Sequence, residues 1–81
     1  MSKLPAVKGR DLVKFLHSIG FEITGTKGSH VRLKSEDERA TTIPLHGNRE
    51  IPKGLLRKII REDLEIILEE FVALYSRYKG R

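Results

Sequence analysis

From His30 to Lys34, polar and apolar residues alternate: Val31 and Leu33 fall on one side, His30, Arg32 and Lys34 on the other. Strand side chains change faces with period two, so this run is predicted to be a β-strand with one face buried and one open. The residues before it, Gly25-Thr26-Lys27-Gly28, read as the end of an earlier strand and a tight turn at Lys27-Gly28. The alternation has a chemical consequence. Histidine is the one side chain whose unperturbed pKa lies near neutrality, and His30 is placed on the open face beside two cations. Spacing alone also allows a plain surface histidine there.

Elements fall into place around this strand. Upstream, Leu12, Phe15, Leu16 and Ile19 recur at i, i+3, i+4, i+7, with Val13 on the flank, and predict an amphipathic helix over Arg10–Ile19. Asp11 suits its first turn and Gly20 its end. His17 lies off the stripe, toward Lys14, as a solvated residue. Residues 1–7 read as a loose lead-in. Phe21-Glu22-Ile23-Thr24 alternates and predicts a first strand. Ala40–Leu45 predicts a third, with Ile43 and Leu45 inward and Thr42, Pro44 and His46 outward. Pro44 cannot donate to a ladder, so this strand belongs at a sheet edge or a bulge. If the second and third strands pair, His30 and His46 share one face.

His46-Gly47-Asn48-Arg49 is turn chemistry. Pro52 suits the first position of a second helix, with Ile51 stapling its entry. Leu55, Leu56, Ile59 and Ile60 form its buried stripe. On another face Lys53, Arg57 and Arg61 recur at i, i+4, i+8 with Lys58 nearby, a row able to track phosphates or simply to meet water. A last helix is expected over about residues 64–78, with Leu64, Ile67, Leu68, Phe71, Leu74, Tyr75 and Tyr78 on one face; its aromatic stripe reads as core packing or a dimer surface. No Gly or Pro marks the join between the last two helices, and periodicity leaves open whether they are continuous. Helix, three strands, helix, helix is an α+β fold with its helices on one face of a three-stranded antiparallel sheet.

Charge narrows the partner. Residues 1–61 carry 13 Lys and Arg against 6 Asp and Glu, a balance of +7, while residues 62–81 carry −2. A basic body suggests a polyanion, most often nucleic acid, although it also serves solubility. Eighty-one residues suit one domain, 1–81, with a core at about 8–62 and the extra helix at about 64–78. The absence of cysteine excludes disulfides, a thiolate nucleophile and cysteine-ligated zinc. No run approaches the roughly 18 consecutive apolar residues of a membrane span, and no signal-peptide core is visible, so a cytoplasmic protein is expected.

The reactive inventory is short. Glu36-Asp37-Glu38 reads as a solvated loop rather than a metal site, since a metal-dependent nuclease needs carboxylates converging from different elements. Ser29 and His30 point to opposite faces and are not a nucleophile–base pair. No metal and no cofactor are called for. Acid–base work by a histidine on a basic surface remains, and RNA cleavage suits it. The ribose 2′-hydroxyl is itself the nucleophile, so the protein need only move protons and stabilise phosphorane charge. DNA, lacking that hydroxyl, would be spared.

Three stretches together, Lys27-Gly28-Ser29-His30, Thr42-x-Pro44-x-His46-Gly47 and Ile51-Pro52-Lys53-Gly54-Leu55-Leu56-Arg57-Lys58-Ile59-Ile60, resemble the HicA toxin family, also called YcfA-like, from about Arg10 through Phe71. The C-terminal helix is longer than the family minimum. The resemblance implies a fold like a double-stranded-RNA-binding domain, α-β-β-β-α, and an mRNA interferase that acts as the toxin of a toxin–antitoxin pair, neutralised by a HicB-type antitoxin. It implies that the functional histidine is His30. On that frame Gly28 permits a tight turn and close approach of a phosphate at Lys27 and Ser29. Arg32, Lys34, Lys53, Arg57, Lys58 and Arg61 would hold the backbone of a single-stranded RNA. His46 would contact RNA or serve as a second acid or base. The alternative is a non-catalytic RNA-binding module of the same fold. RNA sequence preference and oligomeric state are not legible.

Overall fold

Three antiparallel strands, neighbours in the sheet in the order they occur in the chain, form the floor on which everything else is built. The computed structural model describes residues 3–80. The elements are α1 (Gly9–Ser18), β1 (Phe21–Lys27), β2 (His30–Ser35), β3 (Ala40–Pro44), α2 (Lys53–Lys58, prolonged by a π-helical turn, Ile59–Asp63) and α3 (Leu68–Lys79). This is the α+β, double-stranded-RNA-binding-domain-like succession with an added C-terminal helix.

The β2 alternation sets the layering. Val31 and Leu33 are buried together with Thr41 and Ile43 of β3, while His30, Arg32, Lys34 and Thr42 stand exposed on the opposite face. Leu12, Phe15 and Leu16 of α1, Leu56, Ile59 and Ile60 of α2 and its π turn, and Phe71 and Tyr75 of α3 complete one hydrophobic core. Phe15 joins the first and last helices, meeting Phe71, Tyr75 and Tyr78 edge-on at centroid distances of 5.5, 5.4 and 5.6 Å. Such edge-to-face pairs add stabilisation beyond their area. Lys79 also approaches Asp11 at 3.8 Å, linking the end of α3 to the start of α1.

Several expectations are corrected. The stretch before α1 is not loose where it is described: Leu4 and Val7 are buried, and the Val7 carbonyl accepts from Ile51 N–H at 2.8 Å. Residues 1 and 2 of that lead-in lie outside the described residues. Ile19 and Leu55, assigned to buried stripes, are each 37% exposed, and Ile23 is 54% exposed on the edge strand β1. The last helix begins at Leu68, not Leu64, and Ile67 is 67% exposed.

The join between α2 and α3 is a break. Leu64 N–H donates to the Ile59 carbonyl at 2.9 Å, five residues back, which is π spacing. Glu65 then takes φ +57°, the left-handed conformation that ends helices. A non-glycine residue there costs ~1–2 kcal/mol. Contacts that hold the flanking turn offset this: Thr41 Oγ1 donates to Asp63 Oδ2 at 2.9 Å, and Arg39 Nη1 donates to the Leu64 carbonyl at 2.6 Å. The Arg39 guanidinium also lies over the Phe21 ring at 5.4 Å, and its Nε donates to both Asp37 carboxylate oxygens at 3.0 and 2.8 Å. Arg39 therefore ties the β2–β3 loop to β1 and to the end of α2.

Candidate functional site

The β1–β2 turn consists of Gly28 and Ser29, with Lys27 and His30 paired across it. The tight turn thus falls one residue later than the sequence suggests. Gly28 has φ +59° and Ser29 does not share that sign, the pattern of a type II′ hairpin turn with glycine at its first central position. A side chain at Gly28 would be strained by the backbone angle, although the space around it is open.

A bulge decides what shares the face with His30. The β1–β2 register slips between Ile23 and Gly25, leaving Thr24 without a partner. Absent the bulge, counting by twos through every residue of β1 would put Lys27 on the side of Phe21, which is buried. With it, Gly25 pairs with Arg32 and Lys27 with His30, so both turn to the open face. On the other side His30 pairs with Pro44 and Arg32 with Thr42. Two rows result across the sheet, Lys27–His30–Pro44 and Gly25–Arg32–Thr42. Gly25 contributes no side chain, and a hollow of about 710 Å³ opens here, lined by Gly25 through His30, Arg32 and Thr42. The cations stand around a floor with room for a ligand.

Proline at position 44 has no N–H to give, and the ladder resumes one residue later, where Leu45 N–H donates to the Ser29 carbonyl at 2.6 Å. This bond draws the end of β3 to the hairpin turn. The next residue is His46, whose carbonyl accepts from Arg49 N–H at 3.1 Å in a turn with Gly47 at φ +62°. The His30 and His46 rings lie edge to face, centroids 6.4 Å apart and planes at 85°. Both side chains are exposed.

The remaining cations are distributed over three places. Lys58 borders a second hollow with Leu55 and Asp63, which shares Arg32 and Thr42 with the His30 groove. Arg57 and Arg61 border a different hollow with Ile60, Ile66, Ile67 and Leu68. Lys53 Nζ donates to the Leu4 carbonyl at 3.2 Å. Lys34 shares the open face but sits at the far end, paired with Glu38 at 3.0 Å in a hollow that also includes Glu22, Glu36 and Asp37. In that loop, hydrogen bonds from the Arg39 and Ser35 side chains hold the Asp37 carboxyl at a pKa of about 2. The predicted phosphate-tracking row on the second helix is therefore split, and only Lys58 adjoins the groove. Among the described residues, no three His, Asp or Glu side chains converge as metal ligands. Sequence reasoning passed over Thr26 and Thr42 as lining residues; the signal for the bulge that exposes Gly25 was a lone glycine inside a strand pattern.

The sequence model of the HicA toxins of bacterial toxin–antitoxin systems matches residues 9–66, from the start of α1 to just beyond the π turn. The chain belongs to the HicA toxin family. It is a toxin of the toxin–antitoxin type, and its family implies an antitoxin partner. The match includes the whole of the groove and both histidines, and α3 lies outside it. No curated protein matches the chain significantly in sequence. Among the described residues no helix is long and apolar enough to cross a membrane.

Proposed function

We propose that this HicA-family chain works as one cytoplasmic domain that cuts single-stranded mRNA without a metal ion and is held in check by a HicB-type antitoxin. The observation that carries this reading is the position of His30: exposed on the open sheet face, in one row with Lys27 and next to the Arg32 row, over a floor that Gly25 leaves open. A ribose with its 3′-phosphate laid in this hollow puts its 2′-hydroxyl within reach of an imidazole nitrogen. His30 takes the hydroxyl proton as O2′ attacks phosphorus. Lys27 and Arg32 stabilise the charge that builds on the phosphorane oxygens. The hollow at Lys58 continues the path for the neighbouring backbone.

Unpaired strands suit such a surface, because splayed bases leave the sugar–phosphate chain free to settle on the sheet. A partner protein seated over the same open face would block RNA and substrate together, which suits neutralisation by an antitoxin. The test is degradation of a long single-stranded RNA in excess EDTA by the parent protein and by His30→Ala. Cleavage that persists in chelator and vanishes in the variant is the expected result. Steeply salt-sensitive RNA binding by both proteins with no cleavage by either would leave a binding module instead.

A further inference from the structure

The ribonuclease reading uses one histidine to remove a proton, but the reaction also needs a proton delivered. When O2′ bonds to phosphorus, the P–O5′ bond breaks on the opposite side, and the departing O5′ is a poor leaving group until it is protonated. Several features of the fold bring His46 to this task. Leu45 N–H donates to the Ser29 carbonyl, so the residue before His46 is fastened to the turn beside His30. The rings end edge to face with centroids 6.4 Å apart. At that spacing a nitrogen of each ring can reach a different oxygen of one phosphoryl group laid over the pair, each at a heavy-atom distance of ~3 Å.

The charged surroundings leave little competition. The segments carrying the pair, Lys27–Arg32 and Ala40–Arg49, contain no carboxylate; their charged residues are Lys27, Arg32 and Arg49. No acid among the described residues lines the groove to take over proton transfer, and the two cations that do line it, Lys27 and Arg32, favour a bound phosphate. Among their titratable groups, the two histidines are the side chains of a type suited to exchanging protons near neutrality.

We propose that His46 is the second catalytic residue of this site, the acid that protonates O5′ while His30 takes the 2′-hydroxyl proton. This rests on the ribonuclease reading. Neutral His30 accepts the O2′ proton, the O2′–P bond forms, the P–O5′ bond breaks, and protonated His46 gives its proton to O5′. The products are a 2′,3′-cyclic phosphate end and a 5′-hydroxyl end, and exchange with water restores both imidazoles.

The experiment compares two short RNAs with a single cleavable link, one ordinary and one with sulfur in place of the bridging O5′. A thiolate departs without being protonated. His46→Ala is expected to lower kcat/KM on the oxygen link by ~10²–10⁴-fold, and on the sulfur link by less than ~10-fold. His30→Ala is expected to lose both. The pH–rate profile of His46→Ala on the oxygen link should also lack the fall on the alkaline side shown by the parent. His46→Gln, which keeps a polar side chain of similar length, should match His46→Ala and separates proton transfer from a merely structural role. Equal losses on both links, a retained alkaline limb, or recovery in His46→Gln would overturn the assignment while leaving the ribonuclease reading intact. Selective rescue of Lys27→Ala by the sulfur link would make Lys27 the acid and overturn it too. A parent that cuts neither link overturns the ribonuclease reading and this inference with it.

Discussion

Replacing Gly9 by alanine should both destabilise the fold and misplace His46. Gly9 opens α1 and is buried against the end of β3. A Cβ added there would lie well inside 3.0 Å from the Pro44 carbonyl oxygen and at 3.0 Å from Leu45 Cδ2. The first obstacle is backbone, so it cannot swing aside as a side-chain tip could; the Pro44 carbonyl must retreat by more than half an ångström. Overpacking of this kind costs ~1–3 kcal/mol. The better helix propensity of alanine offsets up to ~1 kcal/mol, leaving a net loss of about 1–2 kcal/mol. For a domain of this size that lowers Tm by ~5–15 °C, at 4–8 °C per kcal/mol. The displaced backbone leads directly into Leu45 and His46, and a misplacement of ~1 Å near reacting groups can cost ~10²-fold in rate. The assay is thermal and urea unfolding of Gly9→Ala beside Gly54→Ala, together with RNA cleavage at a temperature where both are folded. Gly54 sits in α2 with open space around its Cβ position, so its substitution should stabilise by ~0.5–1 kcal/mol through propensity alone. If Gly9→Ala melts at or above the parent temperature, the close approach of α1 to β3 is not a constraint and the reasoning fails.

Deleting Thr24 removes the bulged residue, restores even alternation in β1 and keeps both Phe21 inward and Lys27 opposite His30 on the open face; RNA affinity and its salt dependence should therefore stay close to those of the parent, with circular dichroism unchanged. Asp63→Ala leaves the Thr41 hydroxyl, on a residue only 4% exposed, without its acceptor, at a cost of ~1–3 kcal/mol. Adding Thr41→Val should recover part of that loss, and a double-mutant cycle in urea reads the coupling. Asp37 is held at a pKa of about 2, below its ordinary 3.8, by Arg39 and Ser35. Its contribution is therefore fully present above about pH 4 and is lost as pH falls through about 2. The Tm difference between the parent and Asp37→Asn should shrink across that window and stay constant from pH 5 to 8.

The parts of the fold legible in the sequence are those in which one local rule acts alone. Period-two alternation from His30 to Lys34 gave β2 its faces, and no other force contends with it there. The Leu12–Leu16 stripe and Gly20, at φ +106°, likewise placed α1 and its end. Legibility fails where a tertiary contact overrides local preference. Glu65 is a poor choice for a left-handed residue, so nothing in its chemistry announces a helix break; the break is held by Arg39 and Thr41, 26 and 24 positions earlier in the chain. The lead-in looked loose because Leu4 and Val7 show no periodicity, yet Val7 is held by Ile51 across the molecule. Stripes ran too far at Ile19, Leu55 and Ile67 because a 3.6-residue period says where a side chain points but not where its covering neighbour stops.

The candidate site shows the same division with a functional consequence. His30 was placed on the open face by alternation within its own strand, and that alternation holds. Which cations join it was not decidable from spacing, because a one-residue slip in a neighbouring strand exchanges every side chain between the two faces. Counting by twos from Phe21 takes Lys27 to the buried side. Only the bulge at Thr24 brings Lys27 and the empty floor at Gly25 around to His30. The helical row is divided for a related reason: positions four apart drift around a helix axis, and the hollow that adjoins Arg32 takes Lys58 and leaves Arg57 and Arg61 on another side. The basic surface that matters to a bound phosphate is therefore a product of strand register more than of composition. For the same reason, exchanging Thr26 and Lys27, which leaves the net charge unchanged, would pair the lysine with Val31 on the other face and should weaken RNA binding at His30.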